Sequence, residues 1–368
     1  MPNGCTVNMP LPFRHPLIIL GVERSGSTWL ANIIDAHPKS QLYMEPFAPR
    51  MELFPDFPDR LVYLRGLNQM LTEHIERGLN ELGGAKYSLC HRRGKSRLRR
   101  EFVYRALYPL QDLATRGIQK LGFAAPLRHL RFKNLNKNRI ENPYLNRLPK
   151  TATPSLVVFK ELRLNFKVGM IRSLWPDAQV LVVIRNPLSQ IASILRLINN
   201  GKLHDLRSAL CVFIQHVREG RRFEKYRRGL SALNEDRLDQ QATAYWFLMY
   251  GTLLEDLDRN GVSYRIVRHE RLSQAPDQER RKILDFVGLR EEPQTREYVL
   301  RSSRGSNQRS SAMDTTRDSR SYYLKALHRV NEELRASFFE SADSLWPSSP
   351  DSVQEYESWL RQELGQKE

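Results

Sequence analysis

Residues Gly21 to Leu30 read GVERSGSTWL and follow directly on the apolar run LIIL. Gly21, four residues, Gly26 and then hydroxyl residues is the spacing of a phosphate loop, in which main-chain N–H groups and a helix N-terminus cradle an anion. One position departs: Ser27 stands where nucleotide-hydrolysing loops carry lysine, with Thr28 at the hydroxyl position. The point charge that meets a β- or γ-phosphate is therefore missing. Arg24 supplies a guanidinium instead, and its planar fork suits two oxygens of one phosphate or sulfate. Ser25, Ser27 and Thr28 add hydroxyl donors. The plainer alternative is a turn at Gly26 with Arg24 in solvent.

A second cationic position lies in VLVVIRNPLSQIASIL. Arg185 ends a strand-like run, Asn186 suits a helix N-cap, Pro187 suits the first helical position, and Ser193 falls about two turns on. In nucleoside triphosphatases a strand in this role commonly ends in an aspartate that helps hold Mg²⁺. An arginine there favours a phosphate bound directly, and no metal site is expected. A surface ion pair is the competing role for Arg185.

These residues need a scaffold, and the apolar pattern predicts one. Leu17–Val22, Leu156–Phe159, Val180–Ile184 and Tyr264–Val267 are short apolar runs separated by helical patterns, and SQLYMEPF reads as a further short strand ending at Glu45. Alternation of this kind predicts an α/β fold, a doubly wound parallel sheet carrying the P-loop-like turn. The expected organisation is a single domain: core 15–48 and 155–300, a mostly helical basic insertion 49–150, a mobile loop 302–321 with almost no apolar residues, and C-terminal helices 322–368. Tyr245–Leu257 reads as a core helix.

The chain has 368 residues and a formal net charge of +17, so its surface field attracts anions without choosing among nucleotide, glycan, nucleic acid and membrane phosphate. Three cysteines, with no CxxC pair, exclude a disulfide scaffold. Prolines interrupt the N-terminal segment where a signal peptide needs an apolar core, and no run reaches the roughly 18 residues of a membrane helix. The expectation is a cytoplasmic protein without a transmembrane segment.

Taken together, RSGSTWL and the Arg185–Ser193 pair resemble the sulfotransferases that use 3′-phosphoadenosine 5′-phosphosulfate. RSGSTWL resembles their phosphosulfate loop, and Arg185 with Ser193 matches their 3′-phosphate pair, including the separation. The looser matches are the stretch from His37-Pro38 to Glu45-Pro46-Phe47, the strand end VFKELRL with Lys160, Glu161 and Arg163, and IVRHERL, where His269 stands in place of a tyrosine and Arg271 in place of an aspartate. They resemble carbohydrate-type and bacterial members most. The resemblance implies in-line transfer of a sulfuryl group to a hydroxyl, or an amine, of a carbohydrate or other small-molecule acceptor, with Glu45 as general base and His37 as its rival. His37 also suits a helix C-terminal cap. Lys160 would contact a sulfate oxygen, and Trp29 would lie against the adenine or pack on the sheet. Arg304 and Gly305 in SSRGSN are the nearest counterpart of the segment that closes over the 3′-phosphate.

The basic segments HRRGKSRLRR (91–100) and RHLRFKNLNKNR (128–139) are either a solvated face or the wall of a cleft for an acidic glycan. Two other functions compete. A phosphotransferase on the same fold would need divalent metal, and the absent lysine opposes it. A nucleic-acid-binding protein would explain the charge, but no reader motif or interleaved aromatic residues accompany it.

Overall fold

The computed structural model describes residues 15–48, 57, 69–83, 145, 148–151, 154–185, 187–199, 210, 217, 223–224 and 238–311. Five parallel strands, β1 (Leu17–Gly21), β2 (Ser40–Met44), β3 (Leu156–Lys160), β4 (Gln179–Ile184) and β5 (Ser263–Arg268), form one sheet in the order β2-β3-β1-β4-β5. The central strand pairs Leu17 with Val158 on one side and with Gln179 on the other. Every residue of β1 and β3 is buried, which is why both read as unbroken apolar runs.

Helices cover both faces, as the doubly wound reading requires. Alternate strand residues Ile18, Leu20, Val180 and Val182 face a core shared with α3 (Val168–Leu174), α4 (Pro187–Asn199) and α5 (Leu238–Arg259). Leu17, Ile19, Leu181 and Val183 point the other way. They pack on α1 (Ser27–Asp35), α7 (Pro276–Phe286) and α8 (Pro293–Ser311). The short helix α6 (His269–Gln274) continues directly from β5. Each buried aliphatic side chain in these layers contributes about 1.5–3 kcal/mol, which fixes strand register and hence what stands at the strand ends. The amphipathic helix α2 (Gln69–Gly83) buries Leu71, Ile75 and Leu79 at helical spacing. No described helix is long and apolar enough to cross a membrane.

Because all strands run the same way, Gly21, Met44, Lys160, Ile184 and Arg268 end at one edge of the sheet. The chain leaves β1 toward β2 and leaves β4 toward β5, so the topological switch point lies between the ends of β1 and β4. The opposite edge is sealed structurally. Lys150 donates to Asp35 Oδ1 at 3.0 Å, to the His37 carbonyl at 2.8 Å and to the Ser40 carbonyl at 2.8 Å, a cation on the C-terminus of α1.

The expected mobile loop 302–321 is corrected over its first half, where α8 continues as helix through Ser311. Its polar composition hides the anchors that extend it: Tyr298 and Val299 are buried, Ser303 Oγ donates to the Val299 carbonyl at 2.8 Å, and Glu297 pairs with Arg301 one turn on. Residues 312–321, the helices expected over 322–368, Asn186 and both basic segments fall outside the described residues. So does most of 49–150.

Candidate functional site

The loop between β1 and α1 is built on left-handed backbone. Gly26, at the N-cap of α1, has φ 93°, and Arg24 has φ 68°. Arg24 and Glu45 (φ 48°) are the two non-glycine residues with positive φ among the described residues. Such a conformation costs an L-residue about 1–2 kcal/mol, and residues held in it cluster at functional sites. Both are residues that the sequence marks for chemistry.

The loop is held from below by polar groups inside the helical layer. Tyr245 Oη donates to Glu23 Oε2 at 2.8 Å, and Gln190 donates to the Glu23 carbonyl at 2.7 Å. Trp246 Nε1 donates to Gln190 Oε1 at 3.0 Å. Tyr250 Oη bridges β1 and β4, donating to the Val183 carbonyl at 2.8 Å and accepting from the Val22 amide at 3.2 Å. Asn165 donates to the Gly21 carbonyl at 2.8 Å. Composition made α5 a core helix, which it is; it did not show that its Tyr245, Trp246 and Tyr250 carry the loop. The available signal was the cluster of buried-type aromatics that each bear a hydrogen-bonding group.

The two cationic positions meet. Arg24 Nε donates to Ser193 Oγ at 3.0 Å, and Arg185 Nη1 donates to the Arg24 carbonyl at 3.3 Å. Arg24 itself is exposed and Ser193 is buried beneath it. Burial lowers the Arg185 pKa, with Glu270 opposing that effect and the Arg24 charge adding to it. Thr28 is exposed in the first turn of α1, whereas Ser25 and Ser27 are buried. Ser25 Oγ fills the space above Gly21 where a Cβ would stand, and the Ser25 amide donates to the Val22 carbonyl at 3.1 Å, so Ser25 shapes the turn and the anion falls to the amides after it. First-turn amides have no partner within their own helix, which leaves them for an anion.

His269, at the start of α6, closes this cluster and was named in the sequence only as a substitution. A Cβ on Gly26 would overlap its Nδ1, its ring meets Trp29 edge-on at 5.9 Å, and burial followed by the Arg185 charge pulls its pKa down to about 4. Trp29 is half-buried, packs on the core, and donates from Nε1 to Ser302 Oγ at 2.9 Å, tying α8 to the loop. Arg304 and Gly305 lie within α8, where they are helical backbone.

On the other side of β1, the ends of β2 and β3 carry a second group. Lys160 Nζ and Glu45 Oε1 form an ion pair at 2.6 Å, with the lysine side chain 3% exposed and the glutamate 23%. The Glu45 amide donates to the Lys160 carbonyl at 2.7 Å, continuing the β2–β3 pairing that sets Met44 opposite Lys160. With strands about 4.8 Å apart, Glu45 stands two strands, about 10 Å, from the loop strand.

His37 does not join either group. It precedes β2 and so lies at the opposite edge of the sheet from Glu45, buried, with Nδ1 accepting from the Lys39 amide at 3.1 Å and Nε2 facing the Arg290 carbonyl at 3.0 Å. Burial lowers its pKa, which agrees with a neutral ring wired between main-chain groups. As a rival general base it is therefore withdrawn: a helix-end histidine folds into the turn there.

The edge thus presents an anion cradle with two guanidinium groups over the β1 and β4 ends, and a lysine–carboxylate pair over the β2 and β3 ends. Among the described residues no cluster of three or more His, Cys, Asp or Glu is placed to hold a metal.

Among solved structures, the sulfotransferase domain from the curacin biosynthetic pathway is 17% identical, with 76% of each chain covered and a TM-score of 0.37. A sulfotransferase from Alicyclobacillus acidocaldarius is 15% identical over 88% of this chain and 95% of that one, with a TM-score of 0.38. No curated protein sequence matches the chain. Residues 16–293, which span both the loop and the Lys160–Glu45 pair, match the family model described as the sulfotransferase family, and the chain belongs to that family.

Proposed function

We propose that this sulfotransferase takes its sulfuryl group from 3′-phosphoadenosine 5′-phosphosulfate and delivers it to a hydroxyl, or an amine, of a carbohydrate or other polyhydroxyl small molecule. The observation that carries the donor assignment is the contact chain from Ser193 through Arg24 to Arg185, which brings two guanidinium groups from separate strand ends to one anion cradle. A nucleotide with phosphate groups at both ends suits two such cations. The residues present fit it: Arg185 Nε and His269 Nδ1 are buried with no hydrogen-bond partner among the described residues, and the absence of a side chain at Gly26 lets the His269 ring stand directly against the loop.

Arg24, Thr28 and the amides from Gly26 to Thr28 would hold the phosphosulfate end, and Arg185 with Ser193 the 3′-phosphate. When bound, the donor supplies the sulfuryl group and leaves as 3′,5′-adenosine bisphosphate. Arg24 sets positive charge where the leaving phosphate gains negative charge, which is the effect of a preorganised oxyanion site. Glu45 takes the acceptor's proton as its oxygen attacks. Lys160 fixes the Glu45 carboxylate through their ion pair and places an ammonium beside the reacting centre. The net charge of +17 favours an acidic acceptor.

Calorimetric titration with 3′,5′-adenosine bisphosphate in the presence of a chelator tests the donor. Micromolar binding without Mg²⁺ is expected; binding that needs the metal would point to a phosphotransferase and remove this reading. Incubation with labelled donor and an acceptor panel tests the chemistry. Glu45→Gln is expected to keep bisphosphate affinity and lose turnover, and Arg185→Ala to lose affinity.

A further inference from the structure

Glu161 is a fully buried carboxylate that directly follows β3 and touches none of the groups assigned to the donor. Its Oε2 accepts from the Phe47 amide at 3.0 Å, and its Oε1 accepts from the amides of Leu162 at 2.8 Å and Arg163 at 3.0 Å. Its own amide donates to the Ile19 carbonyl at 3.0 Å. One side chain therefore links the turn after β2 to the turn after β3, beside the central strand. Glu45 opens the first of these turns, at φ 48°, and the Ala48 amide donates to its carbonyl at 3.0 Å. Without an anchor on the Phe47 amide, a non-glycine residue in that conformation relaxes toward ordinary backbone.

We infer that Glu161 is the positioning residue for Glu45: it clamps the Glu45–Ala48 turn onto β3 so that the Glu45 carboxylate is held in the Lys160 pair. The inference rests on the reading of Glu45 as the general base. The charged groups facing Glu161 are Glu45 from the β2 end and Lys160 from β3, while Lys167, at the N-terminus of α3, donates to the Arg163 carbonyl at 2.9 Å. Burial first, and the Glu45 charge second, raise the Glu161 pKa, while the amides of Arg163 and Phe47 oppose the rise. The two carboxylates thus feel each other, and removing one charge lowers the pKa of the other.

Glu161→Gln tests this, because the amide keeps the volume and sets an NH₂ group against one main-chain N–H. The expected result is a fall in kcat of about tenfold to a hundredfold, the cost of a small misplacement, with bisphosphate affinity and acceptor KM within about twofold of wild type. The acid limb of the kcat/KM profile moves down as the neighbouring charge is lost. Glu161→Asp, which keeps the charge but retreats from Phe47, should lower kcat and leave the limb in place; it carries the test if the glutamine variant fails to fold by thermal melt. Wild-type kcat and an unmoved limb in Glu161→Gln overturn the inference, as does wild-type kcat in Glu161→Asp. Wild-type turnover in Glu45→Gln instead overturns the reading of the base, so the two failures are separable.

Discussion

Arg24 and Ser193 lie 169 residues apart in the chain and meet at 3.0 Å, the guanidinium Nε donating to a buried hydroxyl in the middle of α4. The bond joins the β1 loop to the helix after β4, the two elements that flank the switch point of the sheet. It leaves Arg24 exposed but aimed.

Ser193→Ala removes that aim without removing a charge. Bisphosphate affinity should fall about tenfold, the worth of one hydrogen bond to a charged group, while Arg185→Ala, which deletes a cation, should cost more than Ser193→Ala. Calorimetry at fixed ionic strength ranks them; equal affinities in wild type and Ser193→Ala would show that Arg24 needs no orientation from α4.

Backbone strain at Arg24 gives a second outcome. Arg24→Gly and Arg24→Ala both delete the guanidinium, so both should bind the bisphosphate weakly. Only glycine relaxes at φ 68°. The glycine variant is therefore expected to be more stable than the alanine variant by about 1 kcal/mol, read from denaturant midpoints. Identical midpoints would mean that the loop does not hold this conformation in solution.

How far the sequence reveals this site follows from the range of each interaction. Strands β1, β3 and β4 are legible because burial on both faces turns them into apolar runs, and the loop is legible because Gly26 and the hydroxyl residues are local chemistry. Glu45, Lys160, Arg24 and Arg185 could be named one by one. Their pairings could not, since strand order decides that Met44 faces Lys160 and Gly21 faces Val183. The support from Tyr245, Tyr250 and Gln190 was hidden by residue types that serve equally well as plain core. His37 misled because its neighbours in sequence are site residues while the sheet separates their edges. The helix past Ser302 was missed because a few anchors, Tyr298, Val299 and Ser303, outweigh a polar composition.

Gly26 admits no side chain for two independent reasons, its φ of 93° and the His269 ring against it. Gly26→Ala should lose about 1–3 kcal/mol of stability together with donor affinity. Shortening the obstacle should return part of the loss: the Gly26→Ala, His269→Ala pair is expected to be more stable than the sum of the single changes predicts, with a coupling of about 1 kcal/mol. Strict additivity in the cycle would show that backbone strain alone excludes the methyl.

The depressed pKa of His269 makes stability depend on pH in a defined window. Burial and the Arg185 charge hold it near 4 in the fold against an ordinary 6.5, so above about 6.5 neither the folded nor the unfolded state carries the proton. As the pH falls from about 6.5 toward 4, the unfolded chain binds it and the folded protein does not, so stability declines with falling pH and levels off below the folded pKa. The loss from this one group is up to about 3 kcal/mol, because each pKa unit is worth about 1.4 kcal/mol. Denaturant melts of wild type and His269→Gln from pH 7.5 to 4 isolate it: the difference between the two curves should shrink or reverse toward acid, since glutamine carries no proton to exclude. A constant difference across that range would mean that the imidazole reaches solvent and titrates normally.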